Sequence, residues 1–278
     1  MDFTIHTYDE TTIRENSTTQ IAIRAVEWPG NTFLLWLPES VGDLWNQWTP
    51  AIAHEDFTRT QHDALLWTFD RNPAAVIEAE LTPLENSLSL EVRVFNRSQE
   101  DLLRVSAQNC FHLSAAPDFA CDDFSRIYIR SGGKWRSLSS LKPTCDLPMY
   151  YRPGFFREGR RDSWGGRFAH CNQAAEADHP LIVCVSKDHR RCVGTASEDC
   201  QCVFHNRGNE YLRCIHSQQA PVPVLRPGAT AEFRQRIYFA DGRLMDCISA
   251  FEAQSSTFAR QRLAINARTG HDTNLPET

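Results

Sequence analysis

Leu88-Ser-Leu-Glu-Val-Arg-Val-Phe-Asn96, closed by Arg97-Ser98, alternates apolar and polar side chains from Leu88 to Val94 and stops at a turn-forming triplet. A period of two sends successive side chains to opposite faces, so this stretch reads as a strand with one face buried and one solvated. The same rhythm recurs outward from it. On the N-terminal side lie Ile21–Val26, Phe33–Leu37 and Ala75–Leu81; on the C-terminal side, Leu103–Ala107 and Arg126–Arg130. The second half adds Leu181–Val185, Cys192–Ala196, Cys200–Phe204, Tyr211–His216 and Thr230–Phe239. Pro29-Gly30, Asn96-Arg-Ser98 and Gly132-Gly133 supply reversals between runs. Many short strands separated by turn signals predict a mainly β, antiparallel architecture. A helical period is visible only after Gly242, where Leu244, Ile248, Phe251 and Phe258 recur at three- and four-residue intervals; this segment is expected to cap one end of the sheets.

The chain has 278 residues, 41% of them hydrophobic, enough for one large core, and the expected organisation is a single domain over 1–268 with a flexible tail at 269–278. A formal net charge of -6 gives no general attraction to nucleic acid or to an anionic membrane, so neither is an expected partner. No apolar run approaches the roughly 20 residues that span a bilayer, and Met1–Glu10 lacks a basic region followed by an apolar one. The expected location is cytoplasmic. All ten cysteines fall at or after Cys110, and in a reducing compartment most act as small buried hydrophobes.

The run Leu88–Asn96, the segment Val105-Ser-Ala-Gln-Asn-Cys-Phe-His-Leu-Ser114 and the Pro-Gly turn and long strand of Val224–Phe239 together resemble the galactose mutarotase-like (aldose epimerase-type) superfamily. The resemblance implies a large antiparallel β-sandwich, or supersandwich, with a carbohydrate cleft on one sheet face. It covers most of the chain in rhythm and rests on these three short motifs. Where an aldose epimerase has His ahead of Tyr-Phe-Asn-Leu, this chain has Gln108 or Asn109, and His112 stands where the family has Asn. Opening a sugar ring needs one group to protonate the ring oxygen and another to take the anomeric proton. Amides do neither, but they hydrogen-bond hydroxyl groups well.

Met149–His170 holds the densest mixture of Arg, aromatic and Gly residues. Aromatic faces stack on sugar rings and guanidinium groups clamp carboxylates, so this segment is the candidate binding loop for an acidic saccharide. Gln108, Asn109, Tyr150, Arg152, Arg157, Arg160, Arg161 and Trp164 are the candidate substrate-binding residues, and His112, Tyr151 and His170 the candidate proton-transfer residues. A solvated connection pinned by its aromatics is the competing reading. Cys110 with His112, and Cys214 with His216, each share a strand face; if their strands were neighbours, four ligands could meet around zinc. The spacing departs from the Cys-x-x-Cys pattern and buried Cys is common, so the expectation is no metal and no cofactor. Trp45 and Trp48 could line a cleft but are read as core, and His54-Glu-Asp56 is too compact for a strand to converge it. Phosphate-binding loops, Gly-x-Ser-x-Gly and His-Glu-x-x-His are absent from the sequence. The leading expectation is a carbohydrate-active protein of isomerase, epimerase or polysaccharide lyase type. The alternatives are a non-catalytic carbohydrate-binding module and a Cys/His metal-dependent enzyme.

Overall fold

The computed structural model describes residues 1–8, 20–43, 48, 57–60, 63–154, 170–206 and 213–254. Its strands are β1 (Phe3–Tyr8), β2 (Gln20–Ala25), β3 (Phe33–Gly42), β4 (Thr58–Arg59), β5 (Leu65–Phe69), β6 (Ala75–Leu84), β7 (Ser87–Asn96), β8 (Leu102–His112) and β9 (Ile127–Ser131). The second half holds β10 (Lys134–Ser137), β11 (Leu147–Tyr151), β12 (His170–Asn172), β13 (Ile182–Val185), β14 (Arg191–Ser197), β15 (Cys200–Asn206), β16 (Cys214–Gln219), β17 (Val222–Leu225) and β18 (Thr230–Asp241). They form two sheets. The first runs β1-β2-β3-β8-β16-β15-β11-β12, with β17 added to β8; the second runs β10-β9-β13-β14-β18-β7-β6-β5-β4. Described pairings are antiparallel except β11 with β12. The expected β-sandwich is the observed architecture.

Strand β7 shows why the layers stack. Leu88, Leu90, Val92 and Val94 are fully buried between the sheets, each contributing about 1.5–3 kcal/mol of burial free energy. The intervening Glu91 and Arg93 turn outward, where Arg93 pairs with Glu78 and Glu80 on β6, and Glu91 with Arg234 on β18. These half-exposed ion pairs fix cross-strand register more than they stabilise the fold. Among the described residues no helix is long and apolar enough to cross a membrane.

Two of the sequence motifs turn out to be one structural unit. The Asn96 backbone N–H donates to the Ala229 carbonyl, and the Gly228 N–H donates to the Asn96 carbonyl. The Asn96 side chain, fully buried, donates to the carbonyls of Glu100 and Leu225 at 2.8 Å each and accepts from the Ser98 N–H and hydroxyl. Gly228 takes φ +75°, the left-handed region that Pro-Gly turns use. One asparagine therefore clamps the β7–β8 turn to the β17–β18 turn. Asn96→Ala leaves these groups without their partner and is expected to cost about 3 kcal/mol in chemical denaturation, with the m-value unchanged.

The helix at 244–254 does not close an end of the sandwich, as the sequence suggested. Cys247, Ile248 and Phe251 pack on Leu181, Val183, Val185, Cys192 and Tyr238, covering the outer face of the second sheet. The reason lies in β13, which is apolar on both faces and needs a second cover. Phe258 and the 269–278 tail lie outside the described residues.

Candidate functional site

Alternation along β8 sends Val105, Ala107 and Phe111 into the core between the sheets and Gln108, Cys110 and His112 to the other face. On β16, Ile215 faces the core, while Cys214 shares the outer cluster with Trp36 and Cys110. The register places Cys214 opposite His112 and Ile215 opposite Phe111. Because the strands run antiparallel, two Cys-x-His units interlock so that thiols and imidazoles alternate on the sheet face. The conditional in the sequence reading is met: β8 and β16 are neighbours and the four side chains converge.

Cys110 Sγ lies 3.1 Å from His112 Nε2 and 3.4 Å from His216 Nε2. His216 Nε2 lies 2.9 Å from Cys214 Sγ. On the far side of the His216 ring, Nδ1 is 3.1 Å from the Asn109 carbonyl oxygen, to which it donates, leaving Nε2 to face the sulfurs. Phe204 stacks flat on His216 at 4.1 Å, and the Trp36 ring lies 4.5 Å from that of His112. All four of these Cys and His residues are buried. Burial pushes the Cys214 thiol up, but the hydrogen bond with Cys110 and the charge and hydrogen bond of His216 more than reverse this and hold it at about 6.

A bulge brings a carboxylate to the edge of this cluster. Trp36 pairs with Cys110 and Ser40 with Gln108, so four steps along β3 match two along β8. Within the bulge Glu39 accepts from Gln108 Nε2 at 2.5 Å and stands 4.0 Å from His216 Nδ1. Glu39 is 23% exposed at its side chain, unlike the thiols beneath it, so it faces solvent and the cluster together. Gln218 on β16 and Tyr151 on β11 are likewise half-buried, and Gln218 accepts from Cys202.

The other sequence candidates divide. Asn109 points between the sheets, where its amide donates to Gln235 at 3.0 Å and Gln235 donates to Thr195. Tyr150 is fully buried in the same core, and burial alone pushes its phenol well up. Both are corrections to the substrate-binding set, because alternation turns them away from the outer face. Tyr151 packs beside Leu147, Met149, Cys202 and Phe204 on that outer face, but three strand intervals, about 14 Å, separate β11 from β8. His112 and Tyr151 thus share a face without sharing a bond's reach. Arg152 follows Tyr151 by one residue, and its charge acts on His179 and Cys200, the latter an interlayer core residue. Arg157, Arg160, Arg161 and Trp164 lie outside the described residues, as do Trp45, His54, Glu55, Asp56 and the side chain of His170. Trp48 is core, as expected. Among the described residues eight cysteines are free and buried, and Cys145 is disulfide-bonded.

Glu39 was the residue that sequence reading passed over. Strict alternation from Phe33, Leu35 and Leu37 would have buried its carboxylate between the sheets, and that conflict was the available sign of a bulge.

No family model and no curated protein matches this chain. Solved structures do. A galactose mutarotase related enzyme from Lactobacillus acidophilus aligns with 87% of this chain and 99% of its own, at 10% identity and a TM-score of 0.48. Galactose 1-epimerase from Lactobacillus acidophilus NCFM covers 87% and 99% at 10% identity, TM-score 0.44, and a galactose mutarotase-like protein from Lactobacillus casei covers 85% and 100% at 11%, TM-score 0.43. In its strand framework the chain is similar to galactose mutarotase-like β-sandwiches.

Proposed function

We propose that this protein binds a neutral saccharide on the outer face of the first sheet and transfers a proton at it, in the manner of a sugar isomerase or epimerase. The observation that carries the reading is the Glu39–Gln108 pair, a partly exposed carboxylate held by an amide at the edge of the buried His216 imidazole. An amide and a carboxylate together donate to and accept from vicinal hydroxyl groups. The carboxylate is the group that can accept the proton of a sugar hydroxyl. The negative charge of Glu39 disfavours an acidic saccharide beside it; of the expected anion clamps, Arg152 follows directly on β11 and Arg161 lies outside the described residues.

Thermal unfolding in the presence of neutral and uronic monosaccharides tests this. A neutral sugar at a hundred times its dissociation constant is expected to stabilise the fold by about 2.7 kcal/mol, and the matching uronic acid by much less. Exchange between anomers of the stabilising sugar, followed by NMR, is expected to quicken on addition of protein. Stabilisation by uronic acids alone would overturn the neutral assignment, and binding without faster exchange would identify a carbohydrate-binding module.

A further inference from the structure

The thiol and imidazole cluster beneath the Glu39 face is more concentrated than packing requires. Cys110 Sγ, Cys214 Sγ and a His216 ring nitrogen all lie within 4.8 Å of one another, and all three residues are buried. A tetrahedral zinc ion bonded to sulfur at about 2.3 Å and nitrogen at about 2.0 Å sets those ligand atoms about 3.6 Å apart. The separations of His216 Nε2 from the two sulfurs, 2.9 and 3.4 Å, need only a slight opening to reach that spacing.

We propose that Cys110, Cys214 and His216 form a binding site for a zinc-class transition-metal ion, held flat against the first sheet. Three features of the surroundings favour an ion over a plain thiol cluster. The Asn109 carbonyl accepts a hydrogen bond from His216 Nδ1–H, so Nε2 is the ring nitrogen left to ligate at the point that both sulfurs face; a carbonyl behind the ring is how a metal-binding imidazole is oriented. Phe204 stacked at 8° to the ring plane blocks its rotation out of line. The two adjoining thiols, each 1% exposed, are closed to a bulky electrophile, whereas an ion requires only the ligand atoms themselves. Two sulfhydryl protons leave to solvent as the ion enters, and two thiolates cancel its double charge, so the buried centre is neutral overall.

His112 is excluded from the set. Its Nε2 lies 3.1 Å from Cys110 Sγ, but it falls outside the group of mutually close ligand atoms, and the Trp36 ring packs against it. The geometry therefore gives three buried protein ligands, one short of the four that zinc takes in a closed structural site. This inference stands on the β8–β16 cluster alone and does not depend on the saccharide reading.

The test uses the full chain, purified under reducing conditions, stripped with a chelator and titrated with Zn²⁺, then with Co²⁺ as a spectroscopic substitute. The expected result is saturation at about one ion per chain, with thiolate-to-cobalt charge transfer in the near ultraviolet and intense visible bands of a four-coordinate centre. Cys110→Ser and Cys214→Ser each lose saturable binding, while Cys200→Ser, which alters a buried thiol in the core, and His112→Ala both retain it. Circular dichroism checks that each variant is folded, and where a serine variant is not, the wild-type cobalt spectrum decides. A wild-type chain that takes up no Co²⁺, or binds it without charge-transfer bands, overturns the site, as does undiminished binding by folded Cys214→Ser. Loss of binding in folded His112→Ala overturns the three-ligand assignment.

Discussion

Glu39→Gln is expected to lower protein-catalysed exchange of a bound neutral sugar by about 100- to 10,000-fold while leaving its affinity within a few-fold of the parent, the range that removal of a general base produces. The asymmetry follows from what the substitution keeps. A glutamine carbonyl still accepts the hydrogen bond that Gln108 Nε2 gives to Glu39 Oε2 at 2.5 Å, so the polar pair that holds hydroxyl groups persists. What is lost is the ability to take a proton. A rate that falls with affinity unchanged identifies Glu39 as the base, whereas parallel loss of both would make it a binding group only. Tyr151→Phe supplies the contrast: three strands from β8, Tyr151 cannot reach the same bond, and its replacement is expected to change the rate less than Glu39→Gln does.

The second large effect concerns the framework that holds this face. Trp28→Ala is expected to destabilise the protein by about 3–5 kcal/mol, read as a lower denaturation midpoint at constant m-value. Trp28 is 2% exposed and lies among Phe33, Phe119 and Phe239, stacking on Phe119 at 5.5 Å. Its indole N–H donates to Asp241 at 3.0 Å, at the end of β18, and the Arg191 guanidinium lies 5.8 Å from its ring centroid. Phe33 in turn stacks on Phe111 at 5.5 Å, the core-facing neighbour of Cys110 and His112. A cavity at Trp28 thus opens beneath the strands that present the candidate site. Trp28→Phe, which keeps most of the ring volume, is expected to recover much of the loss but leaves Asp241 without its donor.

The fold was legible because alternation is a local signal. Leu88–Asn96 and Thr230–Phe239 announce which face is buried without any knowledge of their partners, and they pair with each other in the structure. Parity also foretold that Cys110 and His112 share a face, as do Cys214 and His216. What sequence could not supply was adjacency: β8 and β16 are a hundred residues apart, and nothing local says that they are hydrogen-bonded. The same gap explains Asn109 and Tyr150. Chosen as polar or aromatic neighbours of attractive residues, they sit one step out of phase and fall into the core beside Gln235 and the interlayer apolar side chains. Glu39 escaped for the opposite reason, since a bulge breaks the parity on which the other readings relied. The C-terminal helix was recognised from its period, but its docking surface required knowing that β13 is apolar on both faces.

The central claim is that the outer face of the first sheet, around Glu39, Gln108 and the Cys/His cluster, is where this protein meets its ligand. Its most direct test is a two-dimensional NMR titration with a neutral monosaccharide. The predicted result is shifts concentrated at the Gln108 side-chain amide, the Trp36 indole N–H and the His216 ring, with the ring of His205, fully buried on β15 against the core residue Phe124, unmoved. Shifts confined to the second sheet or its covering helix, or none at saturating sugar, would contradict the account.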